Sequence, residues 1–215
     1  MPDSSTPSDP PHRASRAQGR FGWRGLLRHL PVPAVAWLIV VGLACATVSV
    51  SADSTDERRV RAGARVFRSL LAPDVALDRK ATAGRLRLLI YSTDARSAAE
   101  VGDLIAPAAS PDAARIRDLP VDRVTSAILP GDAPPLPAAV FLATRLSSAE
   151  IDALVRWSIA NHVIVYSPFE GDVERGIPAG LAVEAKVQPF LNLTTLEAAG
   201  IELKPFFVQV AKVHR

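Results

Sequence analysis

"AAVFLATRLSSAEIDALVRWSIANHVIVYSP", residues 138–168, holds the pattern that decides the fold. Its two ends, 138–144 and 162–168, are short apolar runs rich in branched and aromatic residues, which suits strands buried on both faces. Between them "LSSAEIDALVRWSIAN" sets Ile151, Leu154 and Trp157 three residues apart on one helical face, with Ser147 or Ser148 as N-cap and Glu150 in the first turn. Strand, helix of about four turns, strand is a βαβ unit, and such units imply a parallel sheet covered by helices.

The same alternation extends upstream. "TDERRVRAGARVFRSLLAPD" carries Val60, Ala64, Phe67, Leu70 and Leu71 near helical spacing, so a helix is predicted over 56–71, capped by Thr55 or Asp56 and stopped at Pro73. "RLRLLIYS" reads as a strand, and Asp94 caps a following helix in "DARSAAEVGDLIAPA". "RVTSAILP", 123–130, is a weaker strand before the turn-rich "GDAPPLP".

Downstream, "GIPAGLAVEAKVQPFLN" puts Leu181, Val183, Ala185, Val187 and Leu191 on one parity and Glu184, Lys186 and Gln188 on the other. One long strand, or two antiparallel strands turning near Glu184–Ala185, fit equally. Pro189 has no ladder donor and places its strand at an edge or a bulge. Asn192 or Thr194 caps a short helix in "LTTLEAAG", which Gly200 closes at C′. A last helix is predicted from Pro205 as N1, with Phe206, Phe207, Val210 and Val213 as its apolar residues. The fold class is therefore α/β: a mostly parallel sheet with helices on both faces, then a C-terminal β-hairpin followed by a helix.

Three segments divide the chain of 215 residues. Residues 1–30 are proline-rich, contain Arg13, Arg16, Arg20, Arg24 and Arg28, and read as a disordered leader. Residues 31–52 carry no charge and are long enough, at about 1.5 Å per residue, to cross most of a hydrocarbon core. They read as a signal peptide cut after Ala52, as an uncleaved signal-anchor helix, or as either one behind a start site set too far upstream. "GLAC" ends at Cys45 with Gly42 where a lipoprotein box has leucine. Each of these options exports residues 53–215, so a periplasmic address, secreted or tethered to the inner membrane, is expected.

The exported body is electrically neutral. Of 25 Lys and Arg, five lie in residues 1–52, and of 22 Asp and Glu, two do, which leaves 20 of each in 53–215. Nucleic-acid binding draws on a basic excess and is not expected. The single cysteine is Cys45, so the body forms no internal disulfide and relies on an apolar core.

Chemistry-bearing patterns are sparse. His162 and His214 lie far apart, His162 reads as a strand-edge residue, and there is no Gly-x-Ser-x-Gly. No catalytic, cofactor-binding or metal-binding residue is expected, and the chain reads as a non-enzyme. "SPFEGDVERGIP" follows a parallel strand, where α/β sheets bind ligands, but Glu170, Asp172 and Glu174 disfavour phosphate there. It reads as a solvated loop feeding the hairpin or as part of a partner-binding or ligand-sensing rim. Trp157 reads as core or core edge. Phe206 and Phe207 are about 100° apart on a helix, so one of them is exposed and is the candidate interface anchor.

Residues 176–215 resemble the closing signature of the YfiR-like periplasmic family, a hairpin ending in asparagine that runs into an Ala-Gly helix and tail. Gly176, Lys186, Val187, Asn192, Ala199, Gly200, Lys204 and Ala211 sit at matching spacing. "LRLLIYS", "AAVFLAT", "LSSAEIDALV" and "VIVYSP" follow the family's order upstream. The chain departs from the family in having Glu184 and Ala185 at the hairpin tip, in lacking its cysteines, and in keeping only Phe67 of its aromatic first helix. The resemblance implies a periplasmic regulator that binds the outer part of an inner-membrane signalling protein such as a diguanylate cyclase, touching the membrane only through its N-terminal segment, with oligomers compatible. The other reading is a small-molecule-binding module with a pocket at the strands' carboxyl ends, near Tyr91, Ser92, Ser167 and Pro168.

Overall fold

The computed structural model describes residues 55–215, which belong to a compact unit spanning 49–215. The leader, the apolar segment and the cleavage site after Ala52 lie outside the described residues. Among the described residues no helix is long and apolar enough to cross a membrane.

Helix α1 covers 55–71 and ends, as Pro73 requires, two residues before the proline. A 3-10 helix at Leu77–Lys80, in a stretch with no periodic pattern, leads to strand β1 (Leu86–Tyr91). The order continues with α2 (Ala95–Ile105), β2 (Arg115–Ile116), β3 (Leu119–Ser126), β4 (Ala139–Leu142), α3 (Ser148–Asn161) and β5 (Ile164–Ser167). β6 (Ala179–Val183), β7 (Val187–Asn192), α4 (Leu193–Ala198), α5 (Pro205–Val210) and β8 (Lys212–His214) complete it. The sheet runs β2-β3-β1-β4-β5-β6-β7-β8.

β3, β1, β4, β5 and β6 are parallel, the β6–β7 hairpin is antiparallel, and β8 returns parallel to β7. The β1–α2–β3 crossover steps one way along the sheet and β4–α3–β5 the other. Right-handed crossovers therefore put α2 and α3 on opposite faces. Register aligns Ile90, Phe141 and Tyr166 on one face, where Phe67 of α1 meets both rings at 5.4 and 5.5 Å between centroids. These rings are fully buried and form the centre of the core.

Caps set the helix ends. Asp94 accepts from the Ser97 amide at 2.7 Å, and Ser147, not Ser148, forms a capping box with Glu150. Asn192, not Thr194, accepts from the Thr195 amide at 2.9 Å, and Gly200 follows the α4 cap with φ +60°.

Four expectations change. The strand read at 123–130 is β3, four residues earlier, because its β1 partner fixes the register at Leu86 opposite Val121. The final helix stops at Val210, and Val213 belongs to β8, whose backbone pairs with Phe190–Asn192 of β7. β7 is thus the penultimate strand, although Pro189 lies just before the stretch that β8 covers and has a partner only in β6. His162 is not a strand-edge residue: it caps α3 in the left-handed conformation (φ 58°), with its Nδ1 2.8 Å from the Ala199 carbonyl oxygen.

Candidate functional site

In a doubly wound sheet the strands whose crossovers diverge leave a crevice beyond their carboxyl ends. Here those strands are β1 and β4, and the residues that follow them are bonded to one another. The Thr93 amide donates to Thr144 Oγ1 at 3.1 Å, the two hydroxyls lie 3.3 Å apart, and the Ala143 amide donates to the Tyr91 carbonyl at 2.8 Å. Ser92 is buried and donates its hydroxyl to the Asp94 carbonyl at 2.8 Å.

Next to it, α1 seals the end of β5. A Cβ added at Gly63 would lie 2.7 Å from Pro168 Cβ and 3.2 Å from a Tyr166 ring carbon, so only glycine lets the helix sit this close. Ser167 is buried and donates to Asp172 Oδ2 at 2.5 Å. Tyr91, Ser92, Ser167 and Pro168 are all buried among protein groups, and the structure does not bring them together around an open space.

The open cleft lies one strand further out, between the 169–174 loop and the hairpin. Arg59, Phe169, Glu170, Glu174, Glu184 and Lys212 line it above a floor of Ala182 and Phe190. Ala182, Phe190 and Val173 form a small buried cluster separate from the main core. Glycine is required here as well: a Cβ at Gly180 would stand 2.5 Å from the Ser167 carbonyl oxygen and 2.5 Å from Val173 Cγ2.

Each wall is fixed by named bonds. Arg59 Nε donates to the Pro168 carbonyl at 3.0 Å and its guanidinium lies 3.8 Å from Glu170. Asn192 Nδ2 donates to the Val173 carbonyl at 2.8 Å, so one residue both caps α4 and anchors the loop. The Arg145 guanidinium lies 4.7 Å from the Phe169 ring centroid while pairing with Asp56 at 2.7 Å. Lys212 reaches across from β8, 4.7 Å from the centre of the Phe190 ring and 2.8 Å from Glu184.

Electrostatics follow from these contacts. Burial pushes the Asp172 carboxyl above the usual range, opposed by the Ser167 hydroxyl and Arg145. The Lys212 hydrogen bond holds Glu184 below the carboxylate range and itself moves up. Burial raises the Tyr166 phenol, whose hydroxyl has no partner among the described residues. With three carboxylates and two cations on its rim, the cleft suits a contact surface of mixed charge more than an anion.

The remaining expected residues are placed as follows. Trp157 is half-buried and packs on the core. Phe207 is buried and Phe206 is 61% exposed. His162 and His214 are in separate elements, and among the described residues no cluster of His, Cys, Asp or Glu could hold a metal ion. The cleft draws on residues from Arg59 to Lys212, and no local motif could have announced it; the acidic loop was its one visible signal.

No family model matches the chain, and no curated protein matches it.

Proposed function

We propose that residues 53–215 are an exported, non-enzymatic regulatory domain that controls an inner-membrane signalling protein, such as a diguanylate cyclase, by reversible protein–protein contact. The observation that carries this reading is the set of exposed apolar side chains on the β6–β7 hairpin tip and on α5. Val183 and Val187 face each other at the hairpin tip, 47% and 52% exposed, and Phe206 and Val210 stand one turn apart on α5, 61% and 59% exposed. Apolar side chains presented on an edge beside a charged rim are the surface a partner covers. The family resemblance of residues 176–215 lies in this same hairpin and tail.

The reactive-looking groups point the same way. Ser167 and Asp172 are buried and bonded to each other, so this pair faces inward and serves to order the loop that forms the rim. The test is co-purification of the full chain from solubilised inner membranes, together with cyclic-di-GMP levels in a strain lacking it. A membrane partner and altered levels are expected; no partner and unchanged levels contradict the proposal.

A second reading, a periplasmic small-molecule module, draws on the cleft floored by Ala182 and Phe190. Its test is a thermal-shift screen with periplasmic metabolites, since a ligand of the folded form raises Tm.

A further inference from the structure

We propose that the cleft between the C-terminal half of α1 and the β2–β3 turn binds a phosphoryl-bearing anion of diphosphate type. Arg65 and Arg68 stand on one wall, Arg115 and Arg117 on the other, with Ser69 and Ile116 between them. α1 runs from its Arg59 contact with Pro168, after the end of β5, to this cleft beside the start of β3. The site is therefore at the opposite end of the sheet from the acidic rim.

Backbone carbonyls hold three of the four guanidiniums, those of Arg68, Arg115 and Arg117. Arg68 donates to the carbonyls of Ile105 at 2.5 Å and Arg115 at 2.8 Å, and Arg117 donates to those of Ala72 at 2.8 Å and Asp74 at 2.6 Å. Carbonyls fix a guanidinium without cancelling its charge. Arg115 donates to the Asp118 carbonyl, and Arg65 is exposed with no partner among the described residues. Two carboxylates stand beside the four: Asp78, 2.9 Å from Arg117 and 67% exposed, and Asp118, exposed in the same turn. In a body of zero net charge this is a segregated positive site.

The backbone gives an independent indication. β2 and β3 are joined by Arg117 and Asp118 alone, and Arg117 has φ 52°. Glycine or asparagine makes such a turn with least strain. Arginine in their place sends a guanidinium back to the end of α1 and builds the cleft's second wall. Arg117 is a positioning residue; Arg65, Arg68 and Arg115 are the contact residues. Arg65 and Arg68 lie on adjacent turns, about 5–6 Å apart at Cβ, and Arg115 faces them, a spread that fits two linked oxyanions better than one. Guanidinium forks bind phosphoryl oxygens in pairs.

The test uses the full chain in detergent micelles, with inorganic pyrophosphate, orthophosphate, citrate and sodium chloride at matched ionic strength. Pyrophosphate is expected to raise Tm more than orthophosphate or citrate. The Arg65→Ala/Arg115→Ala double variant, altered only at exposed side chains, is expected to keep its ligand-free Tm within about 2 °C and to bind at least about tenfold more weakly. Arg68→Lys, which keeps the charge and loses the fork, is expected to weaken binding as well. Flotation with phosphatidylcholine vesicles, with and without cardiolipin, whose headgroup links two phosphates, separates the sources. A pyrophosphate shift points to a soluble diphosphate, and a cardiolipin-dependent gain lost in the double variant points to a lipid headgroup. No response to either, a response that survives in the double variant, or an equal response to citrate overturns the proposal.

Discussion

The two ends of the parallel sheet differ in how their polar groups are used. At the carboxyl end, where this architecture ordinarily binds ligands, Thr93 bonds Thr144, Ser167 bonds Asp172, and α1 lies against Pro168. At the amino end, Arg68, Arg115 and Arg117 are fixed by carbonyls and stand beside the exposed Arg65. The residues that follow β1, β4 and β5 are thus spent on cohesion, and the surfaces proposed for partners are the hairpin tip with α5 and the arginine cleft. Position in a fold indicates where a site can form; which groups still have unmet valence decides whether one does.

Substitutions in the packed interior and around the loop that feeds the hairpin are expected to have the largest effects. Phe67→Ala removes the ring that touches Phe141 and Tyr166 and is expected to cost about 4 kcal/mol, read by urea denaturation. Gly180→Ala drives a Cβ against backbone at 2.5 Å and is expected to cost about 3 kcal/mol, because a carbonyl cannot rotate aside as a side chain can. Asn192→Ala removes the α4 cap and the support of the Val173 carbonyl at once, for about 2 kcal/mol. An unchanged denaturation midpoint in any of these would show that the contact removed does not hold the fold as described.

A pH experiment sharpens the same point more gently. Asp172 has its folded pKa raised, so between the ordinary carboxyl pKa of about 4 and the folded value the native state binds more protons than the unfolded chain. This group's contribution to stability therefore falls as pH rises through that window and levels off above it. Asp172→Asn, which can still accept from Ser167, is expected to flatten that slope in a pH series of denaturation curves. The smallest effect is expected at the edge: Phe206→Ala should change stability by no more than about 0.5 kcal/mol, since the ring is exposed. A large loss there would mean that the ring belongs to the core.

The sequence made the central layers legible because they obey local rules. β4, α3 and β5 alternate period-two and period-3.6 patterns, and Ser147, Asp94, Asn192 and Gly200 are caps with short-range chemistry. The outer elements were harder. Val210 and Val213 are three residues apart, as on a helix, and only the free edge of β7 at Phe190–Asn192 recruits Lys212–His214 into a strand. β3 begins with Leu119 and Pro120, which carry little strand signal, and its place is set by β1. The candidate cleft assembles Arg59, Phe169, Phe190 and Lys212 through tertiary contacts that no spacing encodes. The exposed aromatic was the exception, since the 100° step between Phe206 and Phe207 forces one of them outward.

The measurement that bears most directly on the central claim is a paired co-purification from inner membranes, comparing the tagged full chain with its Val187→Asp/Phe206→Asp variant at equal abundance and equal Tm. The account predicts that the unaltered chain retains a membrane signalling protein and that the variant releases it. Equal retention by both, or no membrane partner for the unaltered chain, would contradict it.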